Sequence, residues 1–203
     1  MEGLPEPGSL ISSHAGYVKR HDPFAYFMTV VRGTQDYPSQ KSNIVPFELN
    51  FKRDLQNHTF PNYSFIIPDL YNDGHDDPRS HKPAACADHA VLRRVDQWLN
   101  NNIRPLVEDA EFQSSGLLII VFDEACSRGS KTDNRLNPQQ PFVRGGGHVA
   151  AVVISSKTKP GTTSDQLLHH ESMLRLCLRA LGIQQFPGAA ASAPDVSEFF
   201  NKP

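Results

Sequence analysis

Long apolar runs are missing from this sequence. Nowhere does it approach the roughly 20 consecutive apolar residues that a membrane-spanning helix requires, and Met1-Glu-Gly-Leu-Pro5 has neither the basic head nor the apolar stretch of an export signal. No span and no signal are therefore expected, and the compartment stays open. Cysteine is scarce: Cys86, Cys126 and Cys177 are far apart and form no CxxC, which argues against a disulfide framework or a zinc ligand set. Charge of one sign is also lacking. The 20 basic and 22 acidic residues leave a net charge of -2, with no bias toward nucleic acid or an anionic membrane. No Gly-x-Ser-x-Gly elbow, Walker loop or Gly-x-Gly-x-x-Gly following a strand occurs, which removes support for an α/β-hydrolase, a P-loop enzyme and a dinucleotide enzyme. Gly145-Gly-Gly147 precedes a strand-like run, the wrong context for a phosphate loop. There is no internal repeat, and low complexity is confined to Gly188–Ala193.

What is present is a chain of 203 residues, enough for one domain with a real core, in which 16 prolines and 13 glycines call for long ordered loops between short elements. Residues 1–46 read as largely irregular, with a short helix or strand around Phe24–Val31. A short helix is expected near Phe47–Leu55 and a strand at Tyr63–Pro68, followed by Asp69–Pro78, a loop dense in acids and amides. Val91, Val95, Trp98, Leu99 and Ile103 recur at helical spacing and predict an amphipathic helix from Asp88 to about Val107, with Asp88 as N-cap. The continuously apolar Gly116–Phe122 predicts a strand covered on both faces. A polar loop from Cys126 to Arg144, a strand at Val149–Ile154 and a helix from Leu167 to Leu181, closed by Gly182, complete the order. The fold expected is α/β, a central mostly parallel sheet flanked by helices, with ligands beyond the carboxyl ends of its strands.

Asp123 and Glu124 are the sharpest chemical feature. They directly follow the apolar strand, where burying unpaired carboxylates is costly and a divalent cation relieves the cost. The alternative is a helix cap or an ion pair with Arg128 or Arg144. His75 lies in Asn72-Asp-Gly-His-Asp76, whose glycine permits a tight turn and whose acids can orient an imidazole; a general acid and an ordinary surface turn both fit. His148 follows three glycines and precedes a strand, so it suits either a ligand contact or a plain loop. His169 and His170 are about 100° apart on a helix, so at most one faces a given site. Ser172 reads as a helix-start residue rather than a nucleophile.

Taken in order, several segments resemble the phosphoesterase family of the alkaline-phosphatase-like superfamily, which includes bacterial acid phosphatases and phospholipases C. They are Lys19–Phe24, Leu55 through Pro61–Asp69, Asn72–Asp76, Asp96–Leu99, Val121–Glu124, Gly145–Ser155 and His170–Arg175. The resemblance implies that Asp123 and Glu124 are metal ligands, with the metal's identity open. It implies that His75 contacts the phosphoryl group or protonates the leaving oxygen, that His21 lies near the reacting centre, and that Asn72, His148 and His170 belong to the substrate-binding positions. A divalent metal would then be the cofactor, and a phosphorylated small molecule or a phospholipid the substrate. Family members also carry a Glu-Asn metal motif on a first strand and a Ser or Thr nucleophile, both upstream of the segment matching Met1. Neither is found in this sequence, and a cysteine that some relatives place after the histidine loop is Asp77. The expectation is a single domain, 1–203, corresponding to the C-terminal part of the family fold with its N-terminal portion missing. The function expected is metal-dependent hydrolysis of phosphate esters. The alternatives are a non-catalytic remnant that binds a divalent metal or phosphate, and an α/β module whose acids are structural.

Overall fold

The computed structural model describes residues 17–75, 89–125, 136–137, 140–144 and 147–201, with those in 136–144 by their backbone. The chain comprises two compact units, Met1–Asn101 and Asn102–Pro203. No helix among the described residues is long and apolar enough to cross a membrane.

In the first unit, Asp22 organises the turn that follows it. Only 5% exposed, its carboxylate accepts the N–H groups of Phe24 (3.1 Å) and Ala25 (3.3 Å), capping the 3₁₀ turn Pro23–Tyr26. Helix α1, Met28–Val31, follows, so the Phe24–Val31 segment is helical. Phenylalanines four residues apart organise α2, Phe47–Asn57: the rings of Phe47 and Phe51 stack at 4.6 Å, and Phe60 meets Phe51 edge-on at 5.3 Å. Phe47 also lies 5.1 Å from Trp98 on α3, His89–Asn102, which joins the two helices. Phe51 and Val91 are buried in this core, at 7% and 4% exposure. The strand expected at Tyr63–Pro68 does not form. That segment pairs with no strand among the described residues, and Pro61 and Pro68, lacking N–H groups, weaken both its ends as ladder partners.

The second unit opens with two short helices, and the helix expected to run to about Val107 is broken after Asn102. Helix α4, Arg104–Val107, restarts after Asn102, with Pro105 in its first turn, a position where the missing N–H costs nothing. Helix α5, Ala110–Ser115, is capped by Asp109, which accepts from Glu111 (2.9 Å) and Phe112 (3.2 Å). Gly116 ends α5 rather than starting a strand, and the Phe112 ring occupies the space a Cβ there would need. Strand β1, Leu118–Val121, comes next. The loop expected at 126–144 holds a small antiparallel pair, β2 (Leu136–Asn137) with β3 (Gln140–Arg144). Strand β4, Ala151–Ile154, pairs with β1 in antiparallel register, Leu118 opposite Ile154 and Val121 opposite Ala151.

The architecture is thus a mixture of helices and small sheets. Both sheets among the described residues are antiparallel pairs, where a mostly parallel central sheet was expected. An apolar run can signal strand propensity without burial on both faces: Val121 is 38% and Val152 50% exposed. Helix α6, His170–Ala180, has His169 as its N-cap residue, and Gly182 follows its last turn. Arg175 on α6 holds the C-terminal segment, donating from Nη1 to the carbonyls of Ala190 (3.1 Å) and Ala191 (2.8 Å) and lying 4.6 Å over the Phe186 ring. Arg179 pairs with Asp195.

Candidate active site

The residues expected to carry chemistry are distributed over the two units. In the first, Asp69 builds a turn: its backbone carbonyl accepts the Asn72 N–H at 2.9 Å, and its Oδ1 accepts from Tyr71 N (3.0 Å) and Asn72 Nδ2 (2.7 Å). Asn72 therefore directs an amide N–H inward, to Asp69. A second turn follows at once, with Asp73 Oδ1 accepting the His75 N–H at 2.9 Å and Gly74 between them at φ +88°. That left-handed conformation favours glycine. From α3, Arg94 Nε donates to Tyr71 O at 3.0 Å and ties the loop to the helix. His75 emerges exposed from this loop; Asp76 and Asp77 lie outside the described residues.

Asp73 is one of the acids expected to orient His75. It is half-buried, and that burial, the largest influence, raises its carboxyl above the ordinary value. The His75 N–H bond and the charges of His21 and His75 act in the opposite direction, while Asp69 adds to the rise. The hydrogen bond of Asp73 ties it to the backbone of His75. His21 ends the 3₁₀ turn Lys19–His21, next to the buried Asp22. The signal for Asp73 was present in the sequence: an acid before Gly-His is poised to accept the N–H two residues on.

In the second unit, Asp123 and Glu124 do follow β1, but both are exposed. The expectation of a pair at the end of a buried strand is corrected: β1 is a half-exposed strand, so no burial cost calls for a cation. Asp123 Oδ1 accepts the Glu124 N–H at 2.9 Å, leaving Oδ2 and the Glu124 carboxylate as hard oxygen donors. Among the described residues no third His, Cys, Asp or Glu ligand atom joins these two. The donor set suits a hard divalent cation and is incomplete as a cage. The side chains of Arg128 and Arg144, the alternative partners, lie outside the described residues. The β1–β4 register continues one step, with Phe122 N–H donating to Ala150 O at 3.3 Å. His170 Nε2 lies 2.8 Å from the Asp123 carbonyl; since a carbonyl only accepts, that nitrogen carries the proton. His169 has its Nε2 buried, and Ser172 is 1% exposed in the first turn of α6.

The phosphoesterase family model matches residues 11–184. The chain belongs to the phosphoesterase family. Among curated relatives of this phosphoesterase, a probable acid phosphatase of Kluyveromyces lactis is 30% identical over 158 residues, 78% of this chain and 30% of that protein. A phosphatidylinositol-3-phosphatase of Mycobacterium tuberculosis is 27% identical over 199 residues, 98% of this chain and 52% of that protein. A phosphate-repressible acid phosphatase of Penicillium chrysogenum is 28% identical over 160 residues, 78% of this chain and 31% of that protein. The chain thus spans about a third to a half of the length of these relatives. No solved structure matches it.

Proposed function

We propose that this phosphoesterase chain hydrolyses phosphate esters as an acid phosphatase does, using a divalent cation held in part by Asp123 and Glu124. The observation that carries the reading is the braced loop at Asp69–His75, whose Asp73 Oδ1 accepts the His75 N–H, in a chain of this family. His75, exposed at the end of a braced turn, is the group that protonates the leaving oxygen. His21, Asn72 and His148 are the further residues assigned to the phosphorylated substrate. His170, with Nε2 engaged by the Asp123 carbonyl, serves to fix that pair. When bound, the cation supplies charge stabilisation for the phosphoryl group in transfer.

A second reading, binding of phosphate or metal without turnover, is favoured by one observation: the acidic pair gathers no third ligand among the described residues. Hydrolysis of p-nitrophenyl phosphate and of a phospholipid, with and without Mg²⁺, Mn²⁺ or Zn²⁺, separates the two. Turnover that depends on metal and falls by at least about 100-fold in Asp123→Ala/Glu124→Ala supports the first. Calorimetric metal binding that the double variant loses, without turnover, leaves the second. Absence of both defeats the metal site.

A further inference from the structure

Ser172 is 1% exposed in the first turn of α6, and its Oγ has no hydrogen-bond partner among the described residues. Buried hydroxyls are nearly always bonded, because an unmatched one gives up its bonds to solvent and gains none in return. Arg175, three residues on and therefore on the same helix face, has its Nε buried in the same condition. That nitrogen is not at liberty to turn elsewhere. The guanidinium is fixed by its two Nη1 bonds to the carbonyls of Ala190 and Ala191 and by the Phe186 ring 4.6 Å away. Ser172 and Arg175 both line a cavity of about 10 Å³, with Arg179, Asp195 and Val196 also on its wall. A single water needs on the order of 10–15 Å³. The room therefore matches one water and is too small for phosphate or sulfate.

We propose that this cavity is a binding site for one structural water, which accepts from Arg175 Nε–H and shares a hydrogen bond with Ser172 Oγ. The chemistry of the wall selects the occupant. Arg175 Nε only donates, so the occupant must accept, whereas the Ser172 hydroxyl can do either. Asp195 offers carboxylate lone pairs beyond those taken by Arg179 and by the Ser197 N–H at 2.6 Å. Water meets all three demands at this size, and a bridging water is nearly as good as a direct bond. The site links the first turn of α6, which also carries His170, to the segment that runs from Ala190 to Val196. Its role is to hold that helix against its neighbour, and it stands independently of the phosphatase reading.

Two measurements on the full chain test it. A high-resolution crystal structure is expected to show one ordered water within hydrogen-bond distance of both Ser172 Oγ and Arg175 Nε. A cavity without density there overturns the proposal, and so does an anomalous signal at that position after a bromide soak, which makes the site one for a halide. The second measurement reads the sign of a stability change. Cysteine is close to serine in size and helix propensity but is a weak hydrogen-bonding partner. If Ser172 Oγ bonds a water, Ser172→Cys loses that bond, and Tm is expected to fall by about 2–4 °C. If the hydroxyl is unmatched in a dry cavity, the same substitution removes a penalised group and raises Tm. An unchanged or raised Tm therefore sinks the water site, whatever the chain does to phosphate esters.

Discussion

Asp22 shows how much one side chain can organise. Its carboxylate satisfies two N–H groups of the Pro23–Tyr26 turn and accepts the Tyr17 hydroxyl at 3.4 Å, all within five residues of His21. Asp22→Ala leaves those donors in a nearly closed environment and is expected to cost about 2 kcal/mol of stability, measured by urea unfolding, with Asp22→Asn losing less. Burial, followed by the nearby Asp22 charge, pushes the Tyr17 phenol up to about 12 from an ordinary 10.0. The folded chain therefore keeps this proton where the unfolded chain releases it. The stabilisation is complete below pH 10 and is lost as pH rises toward 12. The stability difference between wild type and Tyr17→Phe is expected to shrink across that window, as read by urea midpoints at successive pH values.

At the scale of elements, helices with a clear apolar rhythm were the legible part. Phe47 and Phe51 at i, i+4, and Val91, Val95 and Trp98, fixed α2 and α3 because packing against each other rewards that spacing. The strand at Tyr63–Pro68 had the right composition and failed for want of a neighbour, since a ladder is a property of two segments and composition belongs to one. Helix α5 escaped notice because six residues hold little periodicity; its Asp109 cap was the available cue. Arg175 is another contribution that pattern alone does not reveal, since its partners are backbone carbonyls 15 and 16 residues away. Lysine lacks the planar fork and the stacking surface. Arg175→Lys is expected to cost about 1–2 kcal/mol and to speed amide exchange in the Gly188–Ala191 turn.

For the whole molecule, nine histidines stand against a net charge of only -2, and the isoelectric point is about 6.5. Mild acidification reverses the sign of the chain, so light scattering is expected to show strongest self-association near pH 6.5 at low salt, relieved on either side. The site was legible to unequal degrees. Asn72 and His75 share one loop, because Asx turns and a glycine write local geometry directly into sequence. The exposure of Asp123 and Glu124 was not readable, since an apolar run does not tell how many of its faces are covered. What β1 and β4 add is a fixed ruler. Their partners' residue numbers always sum to 272, from Leu118 with Ile154 to Val121 with Ala151. Insertions or deletions between residues 125 and 147 leave that register intact, whereas one residue gained inside either strand exchanges its two faces. Natural length variation compatible with this pairing therefore belongs to the connection and not to the ribbon.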